Sequence, residues 1–260
     1  MKSITSRDNA QYKQLKLLAT SSQARRKAGQ TVLDGVHLCE VYLRHRGAPP
    51  LAVVSDSACG KPEVAALLDG LQGAPCIALP DAMYEALSPV ENGVGILFVI
   101  DTPQATVSGP LDQSAVLLDG LQDPGNLGSI LRSAAAAGIK RVYCASGSVY
   151  AWSPKVLRAG MGAHFVLEIV ENADLAQVIA ASRVQVLATS SYADARIYDV
   201  DLSRPAAWLF GHEGQGVSPE LLAQATLRVT VPHLGDVESL NVAACAAVCL
   251  FEQVRQSLTT

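Results

Sequence analysis

Apolar residues in this chain gather in short runs, and helically spaced segments separate the runs. A short apolar run bounded by turn residues reads as a buried strand, and apolar positions at i, i+3, i+4 read as one face of a helix. On those rules Asp8 to Lys27 is a helix burying Leu15, Leu17 and Leu18, and Gln30 to Leu33 is a strand. Val36 to Arg46 is a second helix with Glu40, Arg44 and Arg46 on its polar face. Leu51 to Ser55, Cys76 to Leu79 and Gly95 to Ile100 are further strands. Helices fall at Glu63 to Leu71 and at Asp81 to Leu87, the latter with Asp81 as its N-cap. This alternation predicts an α/β domain over residues 1–103. Prolines, a glycine and small polar residues then fill Asp101 to Ser114, so 104–113 is expected to be a linker and 114–260 a second domain.

The second domain is organised around Ala115 to Ile139, AVLLDGLQDPGNLGSILRSAAAAGI. Ala115 to Leu118 suits a buried strand, and Asp119 to Asn126 a turn-rich loop. Leu127, Ile130 and Leu131 begin a helix with Asn126 near its N-cap, Arg132 off the apolar stripe and Gly138 closing its end. Strands are expected at Arg141 to Cys144, Val166 to Val170, Val184 to Ala188, Ala207 to Phe210 and Leu227 to Val231, with a helix near Asp174 to Ala181. Ser153 and Pro154 open a helix as N-cap and first helical residue, and Ser218-Pro219 starts another. The first presents Lys155 and Arg158 together at i, i+3; a phosphate site and a solvated face both fit. The last helix follows Ser239 and Asn241 and is apolar nearly all round until Glu252. Such a helix is buried on more than one side, within the domain or in a subunit interface.

Composition narrows the class. With 260 residues, 49% of them hydrophobic and 17% charged, the chain can bury a real core and is not disordered. No apolar run is long enough to cross a bilayer, and Met1 to Leu18 lacks the apolar core of a signal peptide. The six cysteines stand in apolar surroundings without a C-x-x-C or Cys/His cluster. That pattern suggests no metal site, small buried core residues at Cys245 and Cys249, and a reduced, cytoplasmic protein. The net charge of −4 hides an asymmetry: residues 1–46 carry nine Lys and Arg against three acids, leaving +6 there and −10 in the rest. A basic face of that kind, with Arg25, Arg26 and Lys27 in one run, suits RNA contact on an otherwise acidic enzyme; a solvated helix end is the plain alternative.

Two familiar nucleotide-binding loops are missing. There is neither G-x-G-x-x-G nor G-x-x-x-x-G-K-[ST], and GHEGQG from Gly211 to Gly216 reverses the glycine spacing of the first. Three loops nevertheless share one design, each following a strand's carboxyl end and preceding a helix, where open α/β sheets place ligands. Asn126, Arg132, Glu213, Ser239 and Asn241 gather there, among glycines that let a backbone approach a ligand closely. The motifs LLDGLQDPGNLGSILRSAAAAGI, LFGHEGQGVSPELL and VTVPHLGDVESLNVAACAAVCLFE, with SPKVLRAGMGA between them, resemble the SpoU (TrmH) family of RNA ribose 2′-O-methyltransferases over about 111–260. Residues 1–100 are similar to that family's accessory substrate-binding domain, of the ribosomal protein L30 type.

The resemblance implies an α/β catalytic domain with a C-terminal trefoil knot, an exception to the unknotted-chain rule, behind a smaller L30e-like domain. It implies a homodimer built partly on the last helix, and S-adenosylmethionine held largely by the backbone around Leu209, Phe210, Gly211, Val231 and Leu240, with Gly216 nearby. It implies ribosomal RNA, with 23S rRNA the expected target, because the accessory domain is typical of the rRNA-directed branch. Arg132 is its candidate for activating the ribose hydroxyl, with Asn126 orienting and Glu213, Ser239 and Asn241 completing the pocket. Free arginine is a poor base at neutral pH. Two roles therefore stay open for Arg132: proton acceptor, or charged clamp on a neighbouring phosphate that stabilises a developing alkoxide. In a dimer it could serve the partner's site. The chain departs from the family pattern at His212, where Asn or Ser is more usual, at His233 for Met, at Gly160 for Ser and at Asp34 for Glu. A tRNA-directed methyltransferase, a knotted RNA-binding protein without turnover, and a small-molecule enzyme with another nucleotide cofactor are the competing readings.

Overall fold

The computed structural model describes residues 1–88, 93–105 and 109–258. The chain forms two compact units, one of Met1–Pro103 with Trp152–Phe165, the other of Gln104–Ala151 with Val166–Thr260. Of the expected linker, residues 106–108 lie outside the described residues.

In the first unit, β1 (Lys2–Ser3), β2 (Gln30–Asp34), β3 (Leu51–Ser55), β4 (Cys76–Leu79) and β5 (Ile96–Asp101) make a mixed sheet in the order β1-β4-β3-β5-β2. β4 runs parallel to β1 and β3, whereas β5 is antiparallel to β2 and β3. The helices are α1 (Ala10–Thr20), α2 (Ser22–Ala28), α3 (Val36–Arg46), α4 (Pro62–Asp69) and α5 (Asp81–Glu85). Tyr12, Leu15 and Leu18 of α1 are buried in one core with Val53, Ile77 and Leu97 of the sheet. The single helix expected over Asp8 to Lys27 is two helices. Ser21 is extended, and its hydroxyl accepts the Ala24 N–H, so it caps α2. Leu17 points to solvent, 56% exposed, and Tyr12 takes the buried place. Asp81 is not an N-cap either: Pro80 holds that position, and the Asp81 carboxylate accepts from the Ser57 N–H at 3.1 Å.

The sequence reading assigns Trp152–Phe165 to the second domain, whereas the structure packs it into the first unit. Its bulky residues explain why. Trp152, Val156, Leu157 and Phe165 are buried, the Thr31 hydroxyl donates to the Trp152 carbonyl at 2.7 Å, and Tyr42 meets Phe165 edge-on at 5.3 Å.

The second unit holds β6 (Ala115–Leu118), β7 (Arg141–Ala145), β8 (Glu168–Ala173), β9 (Gln185–Thr189), β10 (Ala195–Arg196), β11 (Ala206–Phe210) and β12 (Leu227–Thr230). They form one sheet, order β10-β12-β9-β11-β6-β7-β8, in which every pairing is parallel. β6 and β11 are buried along their whole length, which is why they read as unbroken apolar runs. Helices α6 (Pro124–Ala136), α8 (Leu175–Ala180), α9 (Pro219–Gln224) and α10 (Val242–Leu258) accompany the sheet, whereas α7 (Pro154–Gly160) belongs to the first unit with α1 to α5. α6 starts three residues earlier than its apolar pattern suggests. Asp123 is the N-cap, accepting the Asn126 N–H at 2.8 Å, and Asn126 lies inside the first turn. α10 packs against α6 and β11. The fully buried Trp208 of β11 donates from Nε1 to Gln253 Oε1 of α10 at 2.7 Å, so its polar handle is satisfied. α10 buries Ala246, Cys249 and Leu250 on one side, yet Phe251 is 48% and Leu258 81% exposed. Among the described residues no helix is long and apolar enough to cross a membrane.

Candidate functional site

A parallel sheet sends the loops after its strands to one edge. Between the loops that follow β9, β11 and β12 lies a cavity of about 380 Å³. The loop after β11 is closed on itself: His212 N–H donates to the Gly216 carbonyl at 3.0 Å, and Gly216 N–H to the His212 carbonyl at 2.8 Å. A Cβ on Gly211 would run into the backbone of Gly216 and Val217, so that close approach requires glycine. His212 Nδ1 accepts the N–H groups of Gly214 at 3.0 Å and Gln215 at 3.3 Å. An Asn or Ser oxygen does the same work in Asx and ST turns. The unusual imidazole therefore braces the loop as the shorter side chains would.

Glu213 reaches from this loop toward the start of α6. Its Oε1 accepts from the Asp123 N–H at 2.9 Å and the Asn126 side-chain amide at 3.1 Å, and its Oε2 from the Gln122 N–H at 3.1 Å. Partial burial pushes this carboxyl up, but those three donors, together with its own main-chain N–H, outweigh it and hold Glu213 below the usual value of 4.5. Asn126 Oδ1 in turn accepts from Asn241 Nδ2 at 2.9 Å, and Asn241 Oδ1 caps α10 by accepting from Ala243 and Ala244. Asp119, after β6, accepts the Ser218 N–H at 2.8 Å and so ties the start of α9 to the same edge. One hydrogen-bonded chain thus joins residues 87 positions apart, from Asn126 to Glu213, and 115 apart, from Asn126 to Asn241.

Gly211, Glu213, Gly216, Val231, Ser239 and Leu240 all line the cavity. The side chains of Leu209 and Phe210 are fully buried in β11 and stay out of it, which leaves only their main chain for a ligand. The Phe210 carbonyl already accepts the Asp119 N–H at 2.8 Å. Arg132 is exposed on α6 and does not line its own chain's cavity. The basic run divides. Arg26 and Lys27 are exposed, but Arg25 is only 6% exposed and its Nη1 donates to the Leu18 and Ala19 carbonyls, at 2.7 and 3.2 Å. Arg25 holds α1 to α2 and is not on the surface. Lys155 is exposed and Arg158 half-buried on α7 in the first unit. His164 is fully buried against Trp152, ring centroids 5.2 Å apart.

The sequence motifs miss the loop after β9. Thr189, Ser190 and Ser191 form one wall of the cavity with Tyr192 at its rim, and Glu238 and His233 add to another. The only signal was a run of small polar residues directly after an apolar strand. Among the described residues, no group of three or more His, Cys, Asp or Glu is placed to hold a metal ion.

Residues 113–251 match the model of the SpoU rRNA Methylase family. The chain is 33% identical over 258 residues to an uncharacterized tRNA/rRNA methyltransferase of Synechocystis sp., covering 98% of this chain and 94% of the relative. It is 31% identical over 253 residues to RlmP of Bacillus subtilis, a 23S rRNA (guanosine(2553)-2′-O)-methyltransferase, covering 96% of this chain and 98% of that one. The crystal structure of the SpoU methyltransferase AviRb from Streptomyces viridochromogenes in complex with AdoMet aligns with a TM-score of 0.88 at 25% identity, covering 96% of this chain and 99% of AviRb. The family match runs through every strand and loop that builds the cavity, and the chain belongs to the SpoU rRNA methylase family.

Proposed function

We propose that the protein transfers a methyl group from S-adenosylmethionine to a ribose 2′-hydroxyl of ribosomal RNA. The observation that carries this reading is the hydrogen-bonded chain Glu213–Asn126–Asn241 beside the cavity, in a member of this family. The rRNA assignment draws on the activity named for RlmP. The cavity suits the cofactor: its volume falls within the roughly 300–1,000 Å³ of small-molecule sites. Its walls combine a glycine loop, the apolar Val231 and Leu240, and two carboxylates, Glu213 and Glu238, suited to a cationic ligand.

When bound, S-adenosylmethionine supplies an electrophilic methyl group on a positively charged sulfur. The chain's own residues do the rest. Gly211, Gly216, Val231 and Leu240 hold the cofactor by main chain and apolar contact, and Leu209 and Phe210 contribute main chain alone. Ionised Glu213 fixes the Asn126 amide, so Asn126 and Asn241 present set polar groups to the incoming ribose, with Ser239 on the cavity wall. Arg132, off its own chain's cavity, serves the cavity of a partner. Its exposure favours the charged clamp over the proton acceptor: it binds the phosphate beside the target ribose and stabilises the alkoxide that develops as the hydroxyl proton leaves to solvent water and the oxygen takes the methyl group. The protein works as a homodimer in the cytoplasm; the open face of α10, with Phe251 and Leu258, supports the dimer. Residues 114–260 carry the trefoil-knotted methyltransferase. Residues 1–103 are the L30e-like domain, which holds RNA through Arg26 and Lys27, helped by Lys155 and Arg158.

Alkaline hydrolysis of treated RNA tests the acceptor atom. A 2′-O-methyl group blocks attack on the adjacent phosphate, so one rung of the cleavage ladder should disappear. A complete ladder from RNA that has taken up methyl groups overturns the reading.

A further inference from the structure

The loop after β9 is the wall of the cavity that none of the family motifs covers. β9 lies between β11 and β12, all three parallel, so this loop rises between the glycine loop and the loop leading to α10. Ser190 sets its shape. The Ser190 N–H donates to the Val229 carbonyl at 3.0 Å, its carbonyl accepts the Ala193 N–H at 3.3 Å, and its hydroxyl accepts the Tyr192 N–H at 3.3 Å. The turn carries Tyr192 on the rim of the cavity, where it is 89% exposed. Among the described residues that line the cavity, the others are glycines, small or aliphatic residues, acids, an amide and imidazoles, so Tyr192 is the one phenol ring there.

A stiff aromatic ring that projects into solvent at the mouth of a site is a stacking platform for a planar group arriving from outside. A ribose that presents its 2′-oxygen inside the cavity brings its own base to the rim. A ring packed on a ligand held within the cavity would lie along the wall, whereas Tyr192 stands almost wholly in solvent. From this we infer that Tyr192 stacks on the nucleobase of the target nucleotide and is a positioning residue for the ribose. The inference rests on the proposed RNA ribose reaction.

The test compares Tyr192→Ala, Tyr192→Phe and Tyr192→Trp. RNA KM and kcat are measured for each, and cofactor affinity by calorimetry without RNA. Because base–aromatic stacking tolerates any ring, the Ala variant should raise the RNA KM about tenfold, while Phe and Trp stay within about twofold of wild type. Cofactor affinity and melting temperature should be unchanged throughout. An Ala variant with wild-type KM overturns the inference. So does a loss of cofactor affinity in step with KM, which would give the ring to the cofactor, or a Phe variant as impaired as Ala, which would give the role to the hydroxyl. Wild-type enzyme run in parallel separates the two levels: no 2′-O-methylation there defeats the proposed function, whereas a methylating wild type beside an indifferent Tyr192→Ala defeats only the stacking.

Discussion

The two sheets of this protein make different use of their loops. In the mixed sheet of the first unit, β5 runs against β2 and β3, so carboxyl ends point both ways and the loops that follow them divide between two edges. In the parallel sheet of the second unit all carboxyl ends share one edge, and the loops after β6, β9, β11 and β12 collect there. The shared strand direction puts Asn126, Glu213 and Asn241 at one edge, where they join in one hydrogen-bonded chain. The contrast extends to single carboxylates. Asp34, at the end of β2, accepts from the Tyr84 and Ser88 hydroxyls; burial pushes it up more than those bonds and the nearby Arg158 bring it down. Glu213, more open, is held down by three main-chain N–H groups, one of them its own, and an amide. One polar group serves a core, and the other serves a site.

The largest effect is expected at the catalytic edge. Arg132→Ala should lower methyl transfer more than 100-fold while leaving cofactor affinity within a few-fold, since a lost transition-state clamp costs on the order of 3 kcal/mol. Labelled-methyl kinetics with calorimetry checks both halves, and a large loss of cofactor affinity would make Arg132 structural instead.

Glycines sharpen the same contrast. Gly211→Ala drives a Cβ into backbone and should cost at least about 2–3 kcal/mol and remove cofactor binding. Gly29→Ala, in the first unit, meets open space and only the strain of its φ of 62°, so it should cost about 1–2 kcal/mol and leave cofactor binding intact. Thermal unfolding and cofactor titration read both.

The basic run gives a smaller, selective effect. Neutralising Arg26 and Lys27 together should weaken RNA binding several-fold and flatten its salt dependence, each phosphate contact contributing about 0.7–0.9 to the slope. Arg25→Ala should instead lower the melting temperature, because its buried guanidinium holds the Leu18 and Ala19 carbonyls. An unchanged salt slope in the Arg26, Lys27 variant would make this face mere solvated surface.

The smallest effects are in pH, and they run in opposite directions. Glu213 sits below its ordinary value, so the advantage of wild type over Glu213→Gln is complete above pH 4.5 and is lost as pH falls below it. Asp34 sits above its ordinary 3.8, so wild type loses ground to Asp34→Asn as pH rises from 3.8 through the raised value. Melting temperatures across that range check the two signs.

Much of this was legible in the sequence where one physical signal dominated. β3, β4, β6 and α3 fall on the expected residues, because each is a clean apolar or amphipathic run between turn residues. The start of α6 is hidden in the sequence, since Asp123-Pro124-Gly125 has the composition of a turn, whereas the Asp123 side chain caps the helix. Ser21 breaks a helix for the same local reason. Arg25 is not distinguishable from its neighbours in sequence, since three adjacent cations look alike there, whereas neighbouring helical positions point about 100° apart. The edge strands β1 and β10, two residues each, carry no pattern to read. At the site, glycine spacing and amides marked the loops after β6, β11 and β12. The loop after β9 has no glycine and carries no such mark.

The most direct measurement is transfer of a labelled methyl group from S-adenosylmethionine to protein-free ribosomal RNA and, in parallel, to bulk tRNA, followed by digestion to nucleosides. Label recovered from ribosomal RNA as a 2′-O-methyl nucleoside is the expected result. Label found on a base, or in tRNA alone, would contradict it.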